Sequence, residues 1–531
     1  MSEHGDTQSD ILHANSASQR EAYAQEIRDG PTSALEHLRL LWNQRPPGML
    51  SPECDLVVDL TVLSERFVNP DEHEYWEGRG IVRDVDQLGA DLWAACIKCN
   101  LLSLLTDMAL FGGLETQSRP FFMGVLACIT GILAVWAAQL EENSSTGGQP
   151  PHRLPPNSHY NELLLRLKDL CSSLWNARNH MLTGPIELLE GELLLLQLLG
   201  VSTDHLLKEK GTSWRPKKLA HISIYAWISF PPTSNFNNHM AYHAHLALRV
   251  FTSVYSFIFS TKQSNAPVFV ADILQQLGIE RILSRVREVL GVWEPSDLTP
   301  SSKGELVEIL YFSQIIVRSP TVWDAYCQDP MFSSAVRALS RSYAAPVKNW
   351  EVELSNWSHG SSHLRIVIEG VFQRGLPAEK VSSADIWLLL TLGVRVALGA
   401  MLADTAKRSL TNFAEFKPKF EHTMGAMTQG VGCCLAGLGG MPLSLVHGLQ
   451  PAARNTWYPI LRRVRDARVV CGTHPLYDLV ESSWAEFGRA FGLVESSERD
   501  RFESMRTRMC SWEACEFNVT PSPTAAHMQG M

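Results

Sequence analysis

Three histidines stand close together in the stretch NHMAYHAHLALRV: His239, His243 and His245. On a helix His239 and His243 share a face, and two imidazoles at that spacing supply half of a tetrahedral zinc site. A site needs at least one more ligand. The glutamate that follows the first histidine in metalloprotease helices is replaced by Met240, so these read as ordinary helix-face histidines. His359 and His363 repeat the spacing across HGSSH, but Gly360 weakens a continuous helix, and the segment reads as a loop without chemistry.

Cysteines give three further pairs. Cys96 and Cys99 form a Cys-x-x-Cys, which as a redox motif would open a helix after a strand. Here it lies within ADLWAACIKCNLLSLL, mid-helix by periodicity, and reads as core thiols. Cys433 and Cys434 adjoin in GVGCCLAGLGGMP. That run lacks the Gly-Lys-Ser/Thr ending of a phosphate loop, and Gly430 and Gly432 lack the third glycine of a dinucleotide fingerprint. Close helix packing through small residues is expected there instead. Neither a Gly-x-Ser-x-Gly elbow nor a protein-kinase signature set occurs. No catalytic and no cofactor-binding residue is therefore assigned. An enzyme with a pocket between helices stays open as an alternative, because a site assembled in space can leave no linear trace. The third pair, Cys510 and Cys515, flanks Trp512 in MCSWEACEFNVTPSPTAAHMQGM.

The elements that must carry these residues are helices. Tyr160, Leu163, Leu164, Leu167, Cys171, Leu174 and Trp175 follow three-four spacing, as do Ile279, Ile282, Leu283, Val286 and Leu290 ahead of Gly291. Ser302 with Glu305 has capping-box spacing, and Ser382 with Asp385 opens another apolar helix in a similar way. Further helices are expected near 34–43, 90–112, 185–199, 238–260, 363–374, 412–436 and 476–490. DLVVDLTVL and ISIYAWISF are the best strand candidates, and either could be a buried helix. The expected fold is all-α, an armadillo- or HEAT-like solenoid or an irregular helical bundle, with a short unstructured C-terminal tail. Residues 1–20 read as a disordered N-terminal tail, 21–508 as the helical body, and 509–531 as the C-terminal fragment. Pro-, Ser- and Gly-rich breaks lie near 141–160 and 291–304.

Composition narrows the partners. The chain has 531 residues, 45% of them hydrophobic, which is enough for a large core or several packed units. A net charge of -10 argues against nucleic acid, since phosphate contacts need clustered cations. The short basic sets Arg215, Lys217, Lys218 and Arg462, Arg463, Arg465, Arg468 read as solvated helix faces. Eleven scattered cysteines and a polar N-terminus without an apolar signal core suggest a reducing compartment, cytoplasmic or nuclear. The uncharged stretch from Phe121 to Gln139 is long enough to span a bilayer. Gly124, Thr130 and Gly131 dilute it, no basic anchor follows it, and the next such stretch carries Arg395 at its middle. It is expected to be a buried helix, and a membrane-associated protein is the alternative.

The C-terminal fragment resembles the start of a MYND-type zinc finger, in the form found after long helical bodies in fungal proteins. Cys510 and Cys515 match its first cysteine pair, Trp512 the aromatic between them, and Thr520 to Thr524 the Thr/Pro spacer. Where the second pair would follow stand Met528 and Met531, whose thioethers are poor zinc ligands. The resemblance covers two of the family's eight ligands. It implies a C-terminally truncated relative, with Cys510 and Cys515 as partial ligands that do not hold zinc unless others, such as His474, complete the set. Intact fingers of this type bind proline-rich peptides, so the resemblance also implies a non-catalytic interaction scaffold with an unidentified protein partner.

Overall fold

The computed structural model describes residues 6–69, 80–82, 85–111, 117–146, 154–181, 186–212, 214–229, 238–293, 302–344, 349–407, 413–472 and 474–506. The all-α expectation holds: 22 α-helices are present among the described residues, and the one strand pairing joins Val68–Asn69 to Gly80–Ile81. The chain divides into two compact units, Met1–Gly278 and Ile279–Met531.

The first unit begins with α1 (Asp6–Asp29), α2 (Pro31–Gln44), α3 (Asp55–Ser64), α4 (Val85–Leu88), α5 (Ala90–Lys98) and α6 (Leu101–Leu110). It continues with α7 (Arg119–Thr146), α8 (Asn157–Met181), α9 (Ile186–Glu209), α10 (Lys217–Ser229), α11 (Asn238–Thr261) and α12 (Asn265–Leu277). Helix α1 starts well inside the stretch expected as a disordered tail. From Gln19 onward it docks on the body, because Tyr23 and Ile27 are spaced to bury one face. Both strand candidates are helices, within α3 and α10. Each is apolar on nearly every side because each is buried on nearly every side, which removes the periodicity that would have told helix from strand.

Helix α7 runs through the core of this unit, packed against α3, α6 and α9. A Cβ added at Gly124 would sit 2.8 Å from Leu60 Cγ, and one at Gly131 would sit 2.6 Å from Phe67. The two glycines therefore let α3 and the turn after it approach α7 closely. Arg119–Glu142 and Ser383–Thr405 are each long and apolar enough to cross a membrane, yet 89% and 72% of their apolar windows are buried inside the protein.

The second unit holds α13 (Ile279–Val292), α14 (Ser302–Val317), α15 (Trp323–Gln328), α16 (Phe332–Ala344) and α17 (Trp350–Gln373). It ends with α18 (Ser383–Lys407), α19 (Phe416–Leu435), α20 (Leu443–Cys471), α21 (Tyr477–Ala490) and α22 (Glu495–Arg506). Ser382 Oγ accepts from Asp385 N at 3.2 Å, capping α18 as its spacing predicts. Arg395 lies on the exposed edge of α18, so the apolar stretch around it is buried without burying the charge.

Over α6–α11 and much of the second unit, alternate helices lie side by side. In the first, α6 pairs with α8 and α8 with α10, while α7 pairs with α9 and α9 with α11. In the second, α14, α16, α18, α20 and α22 form one such row, and α17, α19 and α21 form the other.

Candidate functional site

The helix expected over 90–112 is broken. Helix α5 stops at Lys98, and Asn100 adopts φ 46°, the one positive φ among the described non-glycine residues. Asparagine tolerates this left-handed conformation better than any other chiral residue type except aspartate. The Asn100 carbonyl then accepts from Ser103 N at 3.1 Å and Leu104 N at 3.3 Å, which starts α6 at 63° to α5. The periodicity of the apolar residues passes through this corner without a mark, so only the Cys-Asn pair could have signalled it.

Around the corner, polar side chains from three helices are fixed by one another. Arg39 of α2 donates to the Cys99 carbonyl left free by the end of α5. Asn100 Nδ2 donates to Glu162 Oε2 of α8 at 2.8 Å, and the Ser103 hydroxyl donates to Glu162 Oε1. Arg166 of α8 pairs with Asp107 of α6. Between α2 and α6 this leaves an open cleft of about 190 Å³, lined by Arg39, Trp42 and Asn43 on one side and Asn100, Ser103, Leu104 and Asp107 on the other. Its floor is rigid. Trp42 is buried, and the Arg45 guanidinium is held 3.5 Å from the Trp42 ring centre and 3.8 Å from that of Phe111.

The hydroxyl of Ser103, with Asn100 and Arg166 assisting, holds Glu162 below the usual carboxylate range despite its burial. An ionised carboxylate with both oxygens already accepting hydrogen bonds is a poor general acid and a poor base. Burial raises the thiols of Cys96 and Cys99, so neither is poised as a thiolate. What the walls offer a guest is the exposed amide of Asn43, the guanidinium of Arg39 and the carboxylate of Asp107.

The expectation of a loop at His359 and His363 is overturned: both lie in α17, which runs unbroken through Gly360. That glycine sits against α16, where the Leu339 side chain occupies the space a Cβ would need, so close packing outweighs its poor helix propensity. His363 Nε2 lies 2.8 Å from Ser313 Oγ and 3.2 Å from the Leu310 carbonyl. His359 Nδ1 lies 3.3 Å from Gln314 Oε1, and its Nε2 lies 3.8 Å from Glu415. Burial pushes both imidazoles down to about 4, with the Lys419 charge adding to the effect at His359. The Ser313–His363 contact has the reach of a nucleophile and its base, but both residues are 0% exposed, so a substrate has no route to the hydroxyl.

The other sequence candidates are dispersed. His239, His243 and His245 lie on α11, with their side chains outside the described ones; Cys510 and Cys515 lie outside the described residues altogether. His474 Nε2 is 3.5 Å from Asp404, and its Nδ1 accepts from Leu476 N. Among the described residues no group of three or more histidine, cysteine or acidic side chains is arranged to hold a metal. In the GVGCCLAGLGGMP run close packing is found at Gly440, where a Cβ would sit 2.8 Å from the Gly430 carbonyl oxygen and 3.0 Å from Cys433 Cβ, whereas no described atom lies within 4 Å of a Cβ built at Gly432. The basic set on α20 is engaged rather than merely solvated. Arg465 pairs with Glu481 and Glu495, Arg462 with Glu503, and Arg468 with Glu481, tying α20 to α21 and α22.

In comparisons with known proteins, no family model, no curated protein and no solved structure matches the chain.

Proposed function

We propose that this chain is a non-catalytic, helical-repeat interaction scaffold, and that its first unit seats a segment of a protein partner in the cleft between α2 and α6. The observation that supports the reading is the arrangement of helices in alternating rows. Such rows put most helices in contact with those one or two places away in the chain, as in solenoids that present extended binding surfaces, although α3 also packs on α7 and α14 on α17. The cleft adds a preorganised recognition point. Arg39, Asn100, Ser103 and Asp107 are held by intramolecular partners before a guest arrives, which lowers the ordering cost of binding. Asn43 can donate and accept at once, as a peptide group requires of its host. The likeness of Cys510, Trp512 and Cys515 to the opening of a MYND finger is consistent with such a scaffold.

Affinity purification of the full chain beside an Arg39→Glu/Asn43→Ala variant tests the reading. A partner recovered in near-stoichiometric amount with the former and lost from the latter is expected. Identical recoveries from both, with helical content unchanged, would overturn it.

A further inference from the structure

Among its described residues, helix α1 is held to the first unit by few apolar contacts. Of its described side chains only Tyr23 and Ile27 are buried, and the Tyr23 hydroxyl donates to the Ala34 carbonyl of α2 at 3.0 Å. Polar contacts supply much of the rest, and two of those at the junction with α2 and α3 meet at one carboxyl. Asp59 of α3 is 1% exposed. Its Oδ1 accepts from Gln19 Nε2 of α1 at 3.4 Å, and its Oδ2 accepts no hydrogen bond. A buried carboxylate with an unsatisfied oxygen is costly unless it is paired or protonated.

The nearest candidate partner is His37 of α2, whose Nδ1 lies 3.7 Å from Asp59 Oδ2 and 3.5 Å from Glu26 Oε2 of α1. One imidazole on α2 thus stands between a carboxyl on α1 and another on α3. The other charges at the junction are occupied. Arg20 of α1 pairs with Glu65, and Arg66 reaches the Ala24 carbonyl at 3.5 Å. Asp55 of α3 adds a further negative charge near Asp59, while α5 and α7 contribute only the thiols of Cys96 and Cys128, behind Tyr23.

We propose that Glu26, His37 and Asp59 form a proton-operated latch, in which a proton held at this junction fastens α1 to α2 and α3 and its loss loosens the helix. With the junction fully deprotonated, two carboxylates face a neutral ring. Repulsion and the desolvation of Asp59 then both oppose docking, and swinging α1 away returns Asp59 to water. With a proton on Asp59, the junction holds only the negative charge of Glu26, and the buried carboxyl is neutral. Burial, opposed by His37 and Gln19, pushes the Asp59 carboxyl up to about 6, so the latch works between mildly acidic and neutral pH.

Hydrogen exchange of the full chain, corrected for intrinsic rates, tests this at pH 5 and pH 7.5. Opening of residues 17–29 relative to the rest of the first unit is expected to be about tenfold more favourable at the higher pH, following the proton linkage of a carboxyl with that shift. Asp59→Asn is expected to remove the pH dependence and keep α1 protected at both values. Glu26→Gln, on the exposed side of the junction, is expected to weaken the dependence without unfolding the unit. Protection of 17–29 that is independent of pH in the unaltered chain, or a dependence that persists in Asp59→Asn, would overturn the proposal.

Discussion

Each compact unit buries both acids and bases, Asp59, Asp204 and His221 in the first and Glu353, His359 and His363 in the second. Among these, the groups that burial shifts furthest are an acid in the first, Asp59, and two bases in the second, His359 and His363. Desolvation penalises charge whatever its sign, so it raises the carboxyl to about 6 and lowers both imidazoles to about 4. The units also pack glycine differently. In the first, Gly124 and Gly131 of α7 receive Leu60 and Phe67. In the second, Gly393 and Gly399 of α18 receive the indoles of Trp357 and Trp350, and Gly488 of α21 receives that of Trp457. Helical arrays of the same class therefore meet acid and added volume in different ways.

Acid gives the largest expected separation. Folded, His359 and His363 bind fewer protons than in the unfolded chain. Their contribution is intact above the ordinary 6.5 and is lost as pH falls toward 4. Each shift corresponds to about 3 kcal/mol at full protonation, and because part of the His359 shift comes from the His363 charge the combined loss is less than their sum. Asp59 behaves in reverse. Its folded form binds more protons, so its penalty is complete above about 6 and gone below 3.8, returning about 3 kcal/mol to the first unit. Exchange protection measured from pH 7.5 to 4.5 is expected to fall in α17 while it is kept or rises in α3. Parallel losses in the two helices would break the contrast.

Added volume gives a smaller effect. Gly399→Ala places a methyl where the Trp350 ring lies, and this half-buried indole must move as a whole to make room; a loss of about 3 kcal/mol is expected. Gly124→Ala meets Leu60 Cγ at 2.8 Å, and leucine can change rotamer, so about 1 kcal/mol is expected there. Urea midpoints of the two variants rank them, and equal losses would mean that both helix pairs slide apart alike.

The helix class was legible because apolar spacing repeats in long segments such as 160–175 and 279–290. The cleft was not. Its break rests on one asparagine whose backbone conformation has no periodic signature, and its walls join residues some sixty positions apart, as in Arg39 with Cys99 and Asn100 with Glu162. At Gly360 a sound local rule failed, since helix propensity lost to the packing of Leu339. At α3 and α10 burial on all sides erased the pattern that separates helix from strand. His359 and His363 do share a helix face, but it faces Ser313 and Gln314 in the core.

The smallest expected effect has the opposite sign and isolates what tight packing contributes. Gly425 and Gly432 also lie inside a helix, α19, yet nothing stands within 4 Å of a Cβ built at either. No neighbour gains from their missing side chains, so the backbone freedom of glycine in the unfolded chain is uncompensated there. Gly425→Ala and Gly432→Ala are each expected to stabilise the second unit by about 0.5–1 kcal/mol, read as a higher urea midpoint at unchanged slope. A loss in either variant would mean that α19 is approached at that face by something beyond the described residues. A gain would place the whole cost of Gly399→Ala on the indole rather than on helical glycine as such.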